Sequence, residues 1–168
     1  MKSAAALALS ISIGAAPAFL ASPACANDKS DIEALENHFA AAVEAKDLDG
    51  IMKGYAPGQA IFVFDVVPPR QYVGWDAYRK DWQGFISGFK GPIKFTISDL
   101  SVSTDGTIGY SHSIQHIVGT DTKGKPTDLT LRLTDVYRKM GGKWKIVQEH
   151  VSVPVDLDTG KPDFTSAP

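Results

Sequence analysis

The spacing of apolar residues changes at Pro92, and this change constrains the fold more than any other feature of the sequence. Before Pro92, apolar residues recur at steps of three and four, which is the period of an amphipathic helix. After it they alternate, which is the period of a half-buried strand. Helices followed by a run of strands predict an α+β domain in which the helices cover one face of a curved antiparallel sheet.

Three helices are predicted before Pro92. A capping box at residues 30–33 starts the first helix, which extends to Lys46, because its serine and glutamate side chains satisfy the free backbone donors of a helix start. Asp47 caps a short second helix that ends at Pro57. The third helix carries an aromatic stripe at helical spacing, formed by Trp75, Tyr78, Trp82, Phe85 and Phe89.

The strands are predicted from alternation and from turn residues. A short strand covers residues 60–65, and a shift in parity places a β-bulge near Ser98 and Asp99. Gly141 and Gly142 suit a two-residue hairpin that needs positive φ angles. The other long strands are predicted at residues 108–118, 128–140 and 143–153.

The first 26 residues have the pattern of a cleavable secretory signal. Lys2 supplies the positive charge, residues 4–16 form an apolar region interrupted only by small residues, and residues 24–26 read Ala-Cys-Ala, a small-residue cleavage site. The pattern predicts export to the periplasm or the cell exterior. In the alternative, Cys25 is a lipid-modified N-terminus, although Ser22 stands where a lipoprotein signal needs a large aliphatic residue. The apolar run is too short to span a bilayer, and no later stretch approaches the roughly 20 apolar residues of a span.

The domain itself is predicted at residues 27–155, followed by a polar tail at residues 156–168 that forms a surface strap or is loosely ordered. A net charge of −2 leaves no basic face large enough for a nucleic acid backbone, so nucleic acid is not expected as a partner. Without residues 1–26 the chain has no cysteine, which excludes disulfides and thiolate chemistry.

Counting back from the turn at Gly141 assigns the two faces of the last hairpin. The count places Thr134 opposite Glu149 and Arg132 opposite Val151, on the face toward the helices. The opposite face then carries an apolar set that needs cover: Leu129, Leu131, Leu133, Tyr137, Trp144, Ile146 and His150. A second copy of the chain is the expected cover, which gives a homodimer; in the alternative, the C-terminal tail folds over this face.

The face toward the helices is predicted to line a pocket, because apolar walls with a few polar groups are typical of small-molecule sites. Placing the bulky residues of the preceding strand inward puts His112 in a row with Thr134 and Glu149. A slip of one residue would turn His112 and His116 outward. The predicted substrate-binding residues are Tyr72, Tyr78, Trp82, Tyr110, His116, Arg132, Thr134 and Glu149.

Several segments resemble the SnoaL-like, ketosteroid-isomerase-like branch of the nuclear transport factor 2 superfamily. They are residues 45–51, which read AKDLDGI; the strand end at residues 62–65, which reads FVFD; residues 134–138, which read TDVYR; and a stretch from GKWKIV at 142–147 to HVS at 150–152. The resemblance implies a cone-shaped fold of three helices on a strongly bent sheet, usually dimeric through the outer sheet face, with a pocket inside. It implies less about function, because the superfamily includes isomerases, cyclases, dehydratases and binding proteins without catalysis.

The resemblance also suggests site residues. Ketosteroid isomerases place a carboxylate base at the end of the first strand, a tyrosine on helix one and an acid on the penultimate strand. The matching positions here are Asp65, Phe39 and Thr134, so a steroid-isomerase mechanism is disfavoured. The kinase association domain of the superfamily lines its pocket at positions that match Tyr78 and His112, among others.

Asp65 and His112 are the predicted catalytic residues. Apolar neighbours would raise the pKa of Asp65 and make it a general base, although an aspartate that closes a strand into a turn explains it equally well. His112 could move a proton near neutral pH, although a histidine satisfied within the core explains it too. Arg132 and Glu149 would either hold a polar ligand or form a buried ion pair.

Neither a metal ion nor a cofactor is predicted. His112 and His116 lie four residues apart on one strand, a separation of about 13 Å that is too long for both to reach one ion. Three functions remain open. The chain would be a cofactor-independent isomerase, cyclase or lyase acting on a small, largely apolar molecule; a binding protein that uses the same pocket without turnover; or a module whose outer sheet face meets a protein partner.

Overall fold

The computed structural model describes residues 23–166, and it has the predicted α+β architecture. The helices are α1 (Pro23–Glu44), α2 (Leu48–Met52) and α3 (Trp75–Ser87), with a turn of 3-10 helix at Gly58–Ala60. The strands are β1 (Phe62–Phe64), β2 (Tyr72–Val73), β3 (Lys94–Thr104), β4 (Ile108–Thr120), β5 (Pro126–Met140) and β6 (Lys143–Ser152). The predicted fold class, with helices first and a long meander of strands after Pro92, is confirmed.

The six strands form one sheet in the order β2-β1-β6-β5-β4-β3. All neighbouring strands are antiparallel except β1 and β6, which run parallel. Helix α1 packs along β3, α2 packs on α1, and α3 contacts α2 and the short strand β2. The helices therefore cover one face of the sheet, and the core lies between the two layers.

Helix α1 begins earlier than the capping box predicts. It already runs through Ser30, whose hydroxyl donates to the carbonyl oxygen of Asn27 at 2.8 Å. The prediction that the helix starts at Ser30 is therefore wrong. The predicted secretory signal falls mainly on residues 1–22, which lie outside the described residues. Asp28 is buried near the start of α1, where its carboxylate accepts hydrogen bonds from the Lys139 ammonium and, at 3.1 Å, from the Trp144 indole N–H.

Two predicted irregularities of the sheet are confirmed. The register between β3 and β4 shifts after Ser98, and Asp99 has a φ of 52°, which marks the predicted bulge. Gly141 and Gly142 have φ angles of 57° and 77°, as a two-residue hairpin turn requires. Met140 pairs directly across that turn with Lys143.

A second bulge, at Val147 on β6, was not predicted, and it changes the pairing of the last hairpin. Val136 pairs with Gln148 rather than with Val147, so Val147 is an extra residue in the ladder. Beyond this point, the count from the glycine turn is wrong by one residue. Glu149 consequently lies opposite Asp135.

The predicted face assignment is also wrong for β5. Leu131, Leu133 and Tyr137, which the count from the turn assigned to the outer face, point toward the helices and are buried. Arg132 and Thr134 are exposed on the opposite face. Because burial of apolar surface against the helices is favourable, this arrangement leaves the apolar set without need of a second cover. The apolar set therefore gives no argument for a dimer.

The chain after β6 forms an ordered strap. Val155 and Pro162 form an isolated bridge, and the Phe164 carbonyl accepts a hydrogen bond from the Thr130 backbone N–H at 2.8 Å. Thr130 lies on β5 beyond its pairing with β6, whose last partner on β5 is Arg132. The strap thus bonds to the part of the β5 edge that β6 leaves open.

Candidate functional site

An open cavity of about 540 Å³ lies between α3 and the inner face of the sheet. This volume falls within the range of small-molecule sites. Its walls are mostly apolar and include Phe39, Val66, Trp82, Phe85, Ile117, Leu129, Leu131, Leu133 and Val151. Its polar lining residues are Asp65, Tyr72, Tyr78, Lys80, Asp81, Gln115 and Glu149.

Glu149 is the most deeply buried acid of the cavity lining. The β6 bulge turns it toward the helices, where only 2% of its surface is exposed. Its Oε2 accepts a hydrogen bond from the Tyr55 hydroxyl at 2.8 Å, and its Oε1 accepts one from the Tyr78 hydroxyl. Burial raises the pKa of Glu149 to about 7, while the two phenol donors oppose this rise because they stabilise the anion.

Two more acids lie buried behind Glu149. Burial, together with the neighbouring charges of Glu149 and Glu36, raises the pKa of Asp135 well above its ordinary value. Glu36, on α1, accepts a hydrogen bond from the Tyr137 hydroxyl at 2.7 Å, and burial raises its pKa to about 7. Across residues 23–166, no lysine, arginine or histidine forms a salt bridge with any of the three acids.

Two further acids line the same cavity near the end of β1. Burial and the nearby charge of Asp81 raise the pKa of Asp65 to about 6. Asp81, on α3, accepts a hydrogen bond from the Tyr72 hydroxyl at 2.6 Å. The cavity therefore contains two carboxyl groups, Asp65 and Glu149, that can change protonation close to neutral pH, which is the property that general acid–base catalysis needs.

The structure places five of the predicted site residues on the cavity. Asp65, the predicted general base, lines it with Tyr72, Tyr78, Trp82 and Glu149. Asp65 directly follows β1, and the other four residues come from β2, α3 and β6. The alternative explanation of Asp65 as a turn aspartate is also visible, because its Oδ1 accepts the Val66 N–H at 2.5 Å.

The other five predicted site residues lie on the outer face of the sheet, which corrects their predicted inward orientation. His112 does lie opposite Thr134, but the third member of that row is His150 and not Glu149. His116 contacts Asp128 at 2.8 Å. The physical reason is the alternation of side chains along β4 and β5. Small and apolar side chains occupy the inward positions, so the residues between them point outward. The residues affected are Tyr110, His112, His116, Arg132 and Thr134.

Sequence reasoning missed three buried polar residues near Glu149, although the sequence contains a signal for two of them. Asp135 is an acid at an inward position of an otherwise apolar alternation that includes Leu133 and Tyr137. Glu36 lies four residues after Ile32 on the apolar stripe of α1. The third residue is Tyr55, for which the sequence contains no comparable signal. A charged residue at a core position of a pattern indicates a buried polar function.

The penultimate strand carries an inward acid, although not at the position matched with ketosteroid isomerases. Asp135 is buried, whereas its neighbour Thr134 is exposed on the outer face. The matched position on helix one is Phe39, which lines the cavity with a ring and no hydroxyl. The correspondence with the ketosteroid-isomerase residues, and with it the argument against a steroid-isomerase mechanism, stays a prediction.

Within the part of the chain that the structure describes, no group of three or more His, Cys, Asp or Glu side chains is arranged to hold a metal ion. In the same residues, no helix has the length and apolar character to cross a membrane. The prediction that the protein uses no metal and no cofactor stays a prediction.

Three helices on a curled six-stranded sheet, with a cavity between the layers, define an α+β domain of the nuclear transport factor 2-like class. The chain belongs to the SnoaL-like domain family, whose model matches residues 32–156. The predicted family resemblance is confirmed. No curated protein matches the chain.

Solved structures agree with this assignment. A nuclear transport factor 2-like protein of unknown function from Pseudomonas putida is 29% identical, with a TM-score of 0.76 over 85% of this chain and 98% of its own. A superfamily protein from Salmonella enterica is 15% identical, with a TM-score of 0.71 over 82% and 99% of the two chains. A protein provisionally assigned as a scytalone dehydratase, from Novosphingobium aromaticivorans, is 17% identical, with a TM-score of 0.70 over 79% and 87%. The last two show the fold alone.

Proposed function

We propose that the protein binds a small, largely apolar organic molecule in the cavity between α3 and the sheet, and that it performs cofactor-free acid–base chemistry on it. The observation that carries the proposal is the composition of the cavity: apolar walls around two carboxyl groups, Asp65 and Glu149, whose pKa values lie near 6 and 7. One of the two can be ionised while the other is protonated, so one accepts a proton and the other donates one.

The charge of the lining limits the ligand. Asp65, Asp81 and Glu149 line the cavity, and Lys80 is the one cationic side chain among the described lining residues. Placing an anion against these acids costs electrostatic energy in a partly desolvated site. The ligand is therefore uncharged or cationic at its polar end, and its apolar body lies against Leu131, Leu133 and their neighbours.

The binding step is tested with a blocked cavity and a matched control. Leu131→Trp adds bulk to the cavity, whereas Arg132→Trp adds the same side chain on the outer face, one residue away. Calorimetric titration with a panel of enones, lactones and aliphatic alcohols, each beside its carboxylic acid counterpart, is expected to show binding of neutral compounds to the control and at least tenfold weaker binding to the blocked variant. Equal affinity in both variants, or preference for the acids, contradicts the proposal.

The chemical step is tested with Asp65→Asn and Glu149→Gln. Loss of a general acid or base lowers turnover by about 100-fold or more, whereas the isosteric amides leave binding largely intact. His112→Ala, on the outer face, is the control and is expected to keep full turnover. If both amide variants turn over a bound compound at the rate of the wild type, or if no compound of the panel is converted, the protein is a binding module, which is the second candidate function.

Export and dimerisation belong to the same proposal. The N-terminal pattern at residues 1–26 supports export, and an intact chain retained in the cytoplasm of the source cell would contradict it. Dimerisation through the outer sheet face is supported by apolar side chains that the fold leaves accessible there, namely Tyr110 at 55% and Ile108 at 46% exposure on β4. The half-buried Phe62 and Phe64 lie on β1 of the same sheet. Sedimentation that gives a monomer at all concentrations contradicts the dimer.

A further inference from the structure

We propose that Asp135 and Glu149 act as one unit, a pair of facing carboxyl groups that shares a single proton, with Glu149 toward the cavity and Asp135 as a positioning residue behind it. The inference rests on the proposed function, because the pair would hold the proton used in the acid–base chemistry of that site. The experiment that tests it needs no ligand. The shared proton can therefore be disproved while ligand binding is confirmed, and ligand binding can be disproved while the shared proton is confirmed.

The geometry brings the two groups together. Asp135 on β5 and Glu149 on β6 are direct partners in the antiparallel ladder, and both point to the inner face. Side chains opposite each other in such a ladder have Cβ atoms about 5 Å apart. The exposed fractions are 1% for Asp135 and 2% for Glu149. Two carboxylates that share a buried site cannot both be ionised without a large electrostatic cost.

Among residues 23–166, no cation forms a salt bridge with the pair that would compensate a second negative charge. Helix α1 contributes Glu36, the segment after α2 contributes Tyr55, α3 contributes Tyr78, and the end of β1 contributes Asp65. Tyr137, on the strand of Asp135, is a further phenol. All of these groups are acidic or neutral. The pair therefore keeps one proton through the neutral range of pH, as facing carboxyl groups do in other buried sites.

The hydrogen bonds indicate which oxygen carries that proton. Both oxygens of Glu149 accept a phenol hydrogen bond, which favours its anion. Oδ1 of Asp135 is buried without a hydrogen-bond partner, so its anion lacks comparable support. The proton consequently resides on Asp135, whose carboxyl group donates to Glu149 and fixes the orientation of that carboxylate.

This arrangement supports a proton cycle without a co-reactant. Glu149 takes a proton from a C–H bond of the ligand, whose electron pair stays in the ligand as a new double bond or a carbanion. The pair then holds two protons and returns one, either to another carbon, which completes an isomerisation, or to a departing hydroxide, which completes the loss of water. At the end of the cycle the pair again holds one proton.

The test is a carboxyl ¹³C NMR titration of the ligand-free chain, labelled at aspartate and glutamate, from about pH 4 to about pH 9. The wild type is expected to show two separate protonation steps, each visible at both Asp135 and Glu149. Asp135→Asn is expected to leave Glu149 with one step, at lower pH than the upper step of the wild type. Asp128→Asn makes the same substitution at an exposed position of β5 and is expected to leave both steps in place.

The proposal is overturned if Glu149 titrates with the same midpoint in Asp135→Asn as in the wild type, because the two groups then do not share a proton. If Asp135→Asn does not fold, Glu149→Gln makes the reciprocal measurement on Asp135. Infrared spectra near pH 7 are recorded on Glu36→Gln, because Glu36 has a pKa of about 7 and would itself add a protonated carboxyl band. The variant is still expected to show such a band, and its absence also overturns the pair.

Discussion

The two faces of β5 place alternate residues of one strand in opposite environments. Leu133 and Asp135 point inward and are at least 95% buried, whereas Arg132 and Thr134 point outward and are exposed. In the described part of the chain, the inner acids Asp135 and Glu149 form no salt bridge, while the outer face contains Arg132 and the histidines. Charge on the inner face is therefore costly and adjustable by protonation, and charge on the outer face is screened by solvent.

The bulge at Val147 maintains this difference, because it brings Glu149 and Val151 to the inner face, so a further shift of the alternation is expected to have the largest effect. Inserting one alanine between Gln148 and Glu149 would move residues 149–152 by one position and turn Glu149 and Val151 outward. We expect the insertion to abolish cooperative unfolding followed by circular dichroism. Insertion of one alanine after Leu157, which is 94% exposed in the strap, is the control and is expected to preserve the transition. A folded variant with the insertion in β6 and a buried Glu149 would refute this requirement for the alternation.

Neighbouring truncations on the two faces are expected to differ next. Leu133→Ala removes buried apolar volume beside the cavity and is expected to lower the free energy of unfolding by about 2–4 kcal/mol. Thr134→Ala, one residue along, is expected to change it by less than about 0.5 kcal/mol. Urea denaturation of both variants measures the difference. Similar losses in the two variants would show that the outer face is also buried, for instance by a second copy of the chain.

For a single acid and one unit of pH, the dependence of stability on pH is expected to be the smallest of these effects, and it sharpens the contrast. Burial raises the pKa of Glu36 from 4.5 to about 7, so the folded state holds this proton more strongly than the unfolded state. This contribution is complete below about pH 4.5 and is lost as the pH rises through about 7. The free energy of unfolding is therefore expected to fall between about pH 5 and about pH 7, by up to about 1.4 kcal/mol per pH unit for each such acid.

Glu36→Gln tests this expectation, because glutamine does not titrate and its amide oxygen still accepts the Tyr137 hydroxyl. Urea unfolding at several pH values is expected to give a shallower decline in the variant than in the wild type. An unchanged slope would mean that Glu36 does not take up a proton on folding in this range.

The sequence was informative about architecture because its signals there are local. The change of period at Pro92, the bulge at Asp99 and the turn at Gly141 each depend on a few adjacent residues, and each is present in the structure. The boundary of α1 was not predictable from a capping box alone, because Ser30 also satisfies its hydroxyl within a continuing helix.

The site was less predictable because it depends on register, which is a long-range property. One extra residue at Val147 moves the partner of Glu149 from Thr134 to Asp135. Glu149 was identified on parity alone and lines the cavity, while His112 was placed inward by its size and lies outside. Asp135 and Glu36 could be identified only by treating a charged residue at an apolar position of a pattern as a buried residue.

Asp28 sets a practical limit on how far the amino end can be shortened. It lies two residues beyond the predicted cleavage point and joins the start of α1 to Lys139 and Trp144 at the far end of the final hairpin. Asn27, by contrast, is exposed, so a purification tag fused there would sit in solvent. Trimming that removes Asp28 would leave the Trp144 indole N–H without its acceptor and would remove the hydrogen bonds that join the start of the first helix to the last two strands.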